Sequence, residues 1–346
     1  MCLYGGCFLS NLCMWGVWCT LGVSMSWVHV FTVGVAHVLN VCRELKERRV
    51  SGAVLSDVER EFIEVVDSAL KVVPGSEEER LVEARLRKLQ DVVLERLRSN
   101  LRISAELNAY VGLIEEDPTL RASRIHLLVT ATGLGRFSGE ILRKVIREQL
   151  GTPCEVHVIG RWGWGPEYFD EALAQLMDTA SRLITRAKEE GFNVALNLTG
   201  GFKPESSFLY VLATLYDVDL VYYIHETFRK VVTLPVLKLC LDPELAKKIL
   251  CIFGTRDVVP ASELPKELKA RGIVRERGES ESYTIRPWIK YLLKKKFVEG
   301  IKVVDDTVQI DPRNLITGYV YEVEVKGRQL MIVKRDEKTV DIYEVE

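Results

Sequence analysis

Asn197, Thr199, Gly200, Gly201 and Lys203 fall within seven residues that read Asn-Leu-Thr-Gly-Gly-Phe-Lys, and together they could hold a phosphate. Glycine has no Cβ, so the N–H groups of Gly200 and Gly201 can turn outward and let a ligand approach closely. Lys203 adds a full positive charge, and Asn197 and Thr199 add a side-chain amide and a hydroxyl. Pro204 suits the first turn of a following helix, whose N-terminal end favours an anion at the same place. A glycine-rich strand-to-helix turn with a solvated lysine would use the same residues, so spacing alone leaves both readings open.

The flanking pattern shows what must position this loop. Apolar, β-branched runs begin at Trp27 (WVHVFTVG), Arg124 (RIHLLVTATG), Cys154 (CEVHVIG), Asn193 (NVALNLTGG), Val218 (VDLVYYIHE) and Lys230 (KVVTLP). Stretches of helical periodicity lie between them, the first from about Val38 to Arg48. Such alternation predicts an α/β fold with a mostly parallel sheet covered by helices on both faces. Ligands of such sheets bind beyond the carboxyl ends of the strands, where the Thr199–Lys203 loop lies. Thr132 and Gly133, with Gly135, follow the second strand and are expected to form another loop on that face. Their G-x-G-x-x-x-G spacing does not fit a nicotinamide-binding fingerprint.

Two long stretches, residues 56–73 and 76–100, carry many charges at helical spacing. Ser76 and Glu79 have the arrangement of a capping box. Leu81, Leu86, Leu89, Val93 and Leu97 would form the apolar stripe of a solvated helical hairpin packed on one face. His29, His126 and His157 sit inside apolar strands and read as core histidines. His225 and Glu226, at the end of a strand, are better placed to line a site.

Composition bounds the function. The chain has 346 residues, 47% apolar and 28% charged, enough for two globular domains. A formal net charge of −2 excludes a protein that coats nucleic acid through a basic surplus. Residues 1–24 hold four of the eight cysteines and no charged residue; this atypical tail fits neither a signal peptide nor a membrane span, and Met25 is the expected start. Cys42, Cys154, Cys240 and Cys251 stand singly among apolar residues, as reduced core cysteines of a cytoplasmic protein would. The expected division is a ligand-binding domain over residues 25–240, with a helical insertion at about 50–103, and a small α+β domain over 241–346. In the latter, two helices (residues 261–274 and 284–300) precede strand-like segments, and a hairpin is expected around Gly327. A winged helix with Lys290, Lys294, Lys295 and Lys296 on a basic helix is one interpretation; a dimer-supporting or lid domain is the other.

The loop at Thr199–Lys203 resembles the second signature of CARF domains, the Rossmann-like sensors of cyclic oligoadenylates in type III CRISPR systems. The first signature of that family is similar to TVGVAHVLN at Thr32–Asn40, and SAELNAY from Ser104 and YYIHETFRKVVTLP from Tyr222 add to the likeness. The resemblance spans about residues 26–240 and is nearest to an archaeal subgroup that includes ring nucleases. It implies a homodimer that binds cyclic tetra-adenylate through Thr32, Gly34, Val35, Ala36, Asn40, Thr132, Gly133, Asn197, Thr199, Gly200, Gly201 and Glu226. It also implies ring opening without metal or cofactor; the catalytic candidates that the residues themselves offer are Lys203, as a cation beside the phosphate, and His37, which otherwise reads as a helix-start histidine with no chemical task. The chain departs from the family in having Val35 and Ala36 where Thr-Ser often follows the glycine, so the hydroxyl of the ring nucleases is missing. The alternative is a non-catalytic sensor that acts on DNA or a protein through the C-terminal domain. Arg121 and His126 have the spacing of a HEPN ribonuclease but run into a strand, so no attached RNase is visible.

Overall fold

A computed structural model describes residues 26–201, 203–225, 230–239, 242–253, 256–277, 281–293, 301–304, 307–310, 315, 320–325, 328–335 and 339–345. The expected tail at residues 1–24, Cys240, Glu226 and Lys294–Lys296 lie outside them.

The chain opens with β1 (Trp27–Val33) and α1 (Ala36–Val50), followed by α2 (Asp57–Ala69), α3 (Glu77–Lys88), α4 (Asp91–Ser99) and α5 (Ala105–Glu116). Strand–helix units then alternate: β2 (Ala122–Thr130), α6 (Gly133–Leu150), β3 (Cys154–Ile159), α7 (Phe169–Glu189), β4 (Asn193–Asn197), α8 (Lys203–Leu215), β5 (Leu220–Ile224) and β6 (Val231–Leu234). The six strands form one sheet in the order β3-β2-β1-β4-β5-β6. All pairs are parallel except β5 with β6, which is antiparallel. This is the Rossmann-like α/β fold that the alternation predicted.

Both faces of the sheet are covered, which explains strands that are apolar without alternation. Phe31, Val33, Ile125 and Leu127 pack against α1, α2, α4 and α6 on one face, and Val28, Val30 and Leu128 against α7 and α8 on the other. The charged stretches form three helices, because the path bends between α3 and α4 around Leu89 and Gln90. Ser76 caps α3, yet Glu79 does not close the box: its carboxylate accepts from the N–H groups of Gly75 (2.8 Å) and Gly133 (2.6 Å) instead. The reciprocal box belongs to Ser56 and Glu59 at α2. Leu81 is exposed and Val82 takes its place in the stripe. Glu79 and Glu83 are buried rather than solvated, because they meet the start of α6: Arg136 binds Glu83 at 2.6 Å.

The C-terminal part begins with α9 (Pro243–Phe253), which the sequence reading did not single out. It continues through β7 (Val258–Pro260), α10 (Lys266–Ala270), β8 (Val274–Glu276), β9 (Ser282–Ile285) and α11 (Pro287–Leu293). The expected first helix is thus a 3-10 turn (Ala261–Glu263), the short α10 and a strand. β7, β9 and β8 form a small antiparallel sheet in that order around its own core of Ile249, Phe253, Val259 and Leu268. Beyond it lie the hairpin β10 (Ile301–Val304) with β11 (Thr307–Ile310) and the meander β12 (Val320–Val325), β13 (Arg328–Lys334) and β14 (Val340–Val345). Val325 and Arg328 pair across β12 and β13, as the expected hairpin requires, and Gly327 lies outside the described residues. Cys42 and Cys154 are buried, but Cys251 is exposed, a correction to its reading as a core cysteine. No helix among the described residues is long and apolar enough to cross a membrane.

Candidate functional site

The strand order reverses at β1, whose neighbours are β2 on one side and β4 on the other. The chain that leaves β1 and the chain that leaves β4 therefore run to helices on opposite faces of the sheet, at the carboxyl ends of the strands; this is the crevice position at which open α/β sheets bind ligands. Residues Thr32–Asn40 and Asn197–Lys203 meet there although about 160 residues separate them.

Their contact is close. The Thr32 hydroxyl donates to the carbonyl oxygens of Gly200 (2.6 Å) and Asn197 (3.3 Å). A Cβ at Gly200 would come within 2.7 Å of the Thr32 carbonyl oxygen and 2.1 Å of Glu106 Oε1. Gly201 has φ +85°, and a Cβ there would lie 1.9 Å from Glu205 Oε2. The two glycines are thus required by the packing of one loop on another, whatever ligand is bound. Asn197 is fully buried: its amide donates to the Glu106 carbonyl (2.9 Å), and its Oδ1 accepts from the Thr199 N–H (3.1 Å) and hydroxyl (2.6 Å). Ile224 N–H in turn donates to Thr199 Oγ1 at 3.2 Å, so this network ties β5 to the loop.

Glu106, from α5, is the residue that the sequence reading missed here. Its Oε1 accepts from Gly34 N–H at 2.9 Å, and its Oε2 from the Ser104 hydroxyl at 2.6 Å, in a fully buried position. The only sequence signal was the Ser-x-Glu spacing at the start of α5. Glu205 is buried beside the opposite loop. With these two carboxylates bordering the crevice, an anion is held only where the α8 N-terminus and Lys203 outweigh them. Lys203 is exposed, the first residue of α8, and makes no ion pair among the described residues.

The other predicted residues are placed as follows. Val35 is the half-buried N-cap of α1, and Ala36 begins that helix on its exposed side. Asn40 donates to the Ile103 carbonyl at 3.4 Å. Thr132 caps α6 by accepting from Gly135 N–H at 3.1 Å, while Gly133 N–H is taken by Glu79. His37 is fully buried, and neither ring nitrogen finds a well-formed hydrogen bond. Burial pushes its pKa down, only partly offset by the Glu106 carboxylate and the Ser138 backbone. It is a neutral ring under the first turn of α1. The Ser138 hydroxyl is likewise buried without a hydrogen-bond partner among the described residues.

A cleft of about 320 Å³ opens on the same end of the sheet, lined by Arg161, Trp162, Gly163, Phe169 and Pro204. Pro204 joins it directly to the Lys203 end of α8. Trp162 and Phe169 pack with ring centroids 5.6 Å apart, and the Arg161 guanidinium lies 5.1 Å from the Tyr168 ring. The Gly-Arg-Trp-Gly-Trp-Gly sequence was the available signal for this aromatic wall.

The histidines divide. His29 is a satisfied core group: Nε2 donates to the Leu120 carbonyl (2.9 Å), which leaves Nδ1 to accept from the Tyr222 hydroxyl (3.0 Å). Burial lowers its pKa to about 3. His126 and His157 instead face one another at 3.0 Å, and His157 is only half-buried. Burial first, then the His157 ring, lowers His126 to about 4; burial also lowers His157.

Residues 101–237, which run from the 3-10 turn (Leu101–Ile103) before α5 to just past β6, match the model of a CRISPR-associated protein family, Cas_APE2256. The match takes in Glu106, Thr132, Asn197 and the whole Thr199–Lys203 loop, and it supports a CRISPR-associated protein.

Proposed function

We propose that the crevice between β1 and β4 binds a cyclic oligoadenylate, cyclic tetra-adenylate in the leading form, and that a homodimer holds the ring across its twofold axis and opens it. The observation that carries this reading is the meeting of the Gly34–Asn40 and Thr199–Lys203 segments at the reversal of strand order, within a chain similar to a CRISPR-associated family. A ring of repeated nucleotides matches two copies of one pocket. The aromatic-lined cleft beside Pro204 offers a stacking surface for an adenine, and the α8 N-terminus with Lys203 offers a phosphate position.

Ring opening is an internal displacement. A ribose 2′-oxygen bonds to its neighbouring phosphorus, the bond from phosphorus to the 5′-oxygen breaks, and a 2′,3′-cyclic phosphate remains. The 2′-hydroxyl proton leaves to water, and the 5′-oxygen takes one up. The protein has to fix the in-line geometry and stabilise the charge that builds on phosphorus. Lys203 is assigned to that charge. His37 is fully buried in the first turn of α1, and as placed it offers no exposed nitrogen to a phosphate.

A second reading has its own support. The order β7-β9-β8 with α9 before it and α10 between β7 and β8 is similar to that of a winged helix, and Ala36 lacks the hydroxyl expected of a ring nuclease. A non-catalytic sensor would use the C-terminal part on DNA or a protein. The two readings separate when pure protein is incubated with cyclic tetra-adenylate in EDTA and the products are resolved. Linear products ending in a cyclic phosphate are expected; an intact ring that stays bound would establish the sensor, and an intact unbound ring would remove both.

A further inference from the structure

On the face of the sheet towards α7, β2 and β3 bring together three groups that the crevice does not use. His126 of β2 stands opposite Glu155 of β3, and His157 is two residues further along the same face. His126 Nδ1 lies 3.0 Å from His157 Nε2, and Glu155 Oε2 lies 3.6 Å from the first and 3.9 Å from the second. Two neutral imidazoles can share one proton, which accounts for the 3.0 Å contact. It does not account for a carboxylate oxygen that approaches both nitrogens and is too far from either for a hydrogen bond. Ligand atoms at about 2.0–2.2 Å from one tetrahedral cation stand about 3.3–3.5 Å from one another, and the three distances bracket that edge.

We propose that His126, Glu155 and His157 form a site for a divalent cation of the zinc class, held by two imidazole nitrogens and one carboxylate oxygen with a fourth position open. Two imidazoles exclude calcium and magnesium as the preferred ions, since these take oxygen ligands. The fourth position faces a cleft of about 270 Å³ that Arg124, Leu183 and Arg186 complete. Glu190 accepts from Arg124 at 3.3 Å and from Arg186 at 2.8 Å, so its carboxylate offsets one of these two guanidinium charges, and Glu155 is the carboxylate that would enter the ion's own coordination shell. Among the described residues β3 is an edge strand paired with β2 alone, and the cation would pin it to its neighbour.

The test uses the full chain without a polyhistidine tag, stripped with EDTA and dialysed. Titration calorimetry with zinc chloride should show one ion per chain at micromolar affinity or tighter. Cobalt chloride should give the intense visible absorption of tetrahedral coordination, magnesium chloride should give no heat, and zinc should raise Tm by several degrees. Glu155→Gln and His157→Gln alter partly exposed side chains on an edge strand, and circular dichroism verifies that each variant is folded. Each should weaken zinc binding at least about tenfold. Absence of stoichiometric zinc binding, equal binding of magnesium, or zinc affinity unchanged in both folded variants would overturn the site.

Discussion

At the residue scale, Lys203 carries most of the proposed chemistry because the other polar groups of its loop are already employed. Asn197, Thr199 and Thr32 bond to one another and to the backbone, whereas Lys203 is exposed at the positive end of α8. A cation beside a desolvated phosphate gains most as charge develops in the transition state. Lys203→Ala should lower single-turnover cleavage of cyclic tetra-adenylate by ~100–1000-fold, and by more than it weakens binding. Under the same conditions Ala36→Ser should raise the rate by restoring a hydroxyl at the start of α1. Wild-type cleavage by saturated Lys203→Ala would contradict the mechanism. The glycines were legible as a tight turn, but their cause was not: Gly200 and Gly201 leave room for Thr32 and Glu106, which come from distant parts of the chain, and for Glu205 in the next turn of helix. Gly201→Val, at φ +85°, would therefore disturb the fold as well as any ligand.

At the element scale, the charged helices show how tertiary packing reassigns side chains. Glu79 was legible as the far end of a capping box on its own helix. In the fold it satisfies the N–H groups of Gly75 and Gly133 and so fastens α3 to the first turn of α6. A buried N–H without an acceptor costs ~1–3 kcal/mol. Glu79→Ala should lower the urea-unfolding free energy by about that amount or somewhat more, with little change in the m-value. An unchanged midpoint would mean that the bonds to Gly75 and Gly133 contribute nothing net. The same logic governs α11, which a lysine-rich sequence presents as a binding helix. In α11 Lys290 pairs with Asp257 at 2.7 Å and Trp288 and Tyr291 dock on Phe208 and Ser181 of the sheet domain, while Lys294–Lys296 lie outside the described residues.

At the scale of the whole molecule, burial of neutral histidine sets an acid limit. His29 titrates near 6.5 when unfolded and at about 3 when folded. Above pH 6.5 both states are neutral and the fold keeps its full stability. As pH falls from 6.5 towards 3 the unfolded chain binds the proton that the folded chain refuses, so stability drops by an amount on the order of a few kcal/mol. His29→Gln should be less stable at neutral pH, where it gives up good bonds to Leu120 and Tyr222. It should also lose stability less steeply between pH 6 and 4. Parallel pH curves for the two proteins, from denaturant unfolding at each pH, would refute this assignment. Asp170 acts at the same scale: buried at the start of α7, it binds Arg286 at 2.9 Å and Arg275 at 3.4 Å, linking the sheet domain to the small β7-β9-β8 unit.

The six strands, their helices and the place of the Thr199–Lys203 loop were written locally, because apolar runs, glycine breaks and helical periodicity are properties of neighbouring residues. What the chain could not show locally is which distant groups share a site. The strand order β3-β2-β1-β4-β5-β6 puts Gly34 beside Gly201 and opens the crevice, and no residue spacing states that order. Glu106 reaches Gly34, and Glu79 reaches Gly133, across 72 and 54 residues respectively. His126 and His157 looked alike as apolar-strand histidines, and only the register of β2 on β3 turned them towards one carboxylate. Hydrophobic pattern decides which face of an element is buried; the pairing of elements decides which polar atoms meet there, and that was settled in three dimensions.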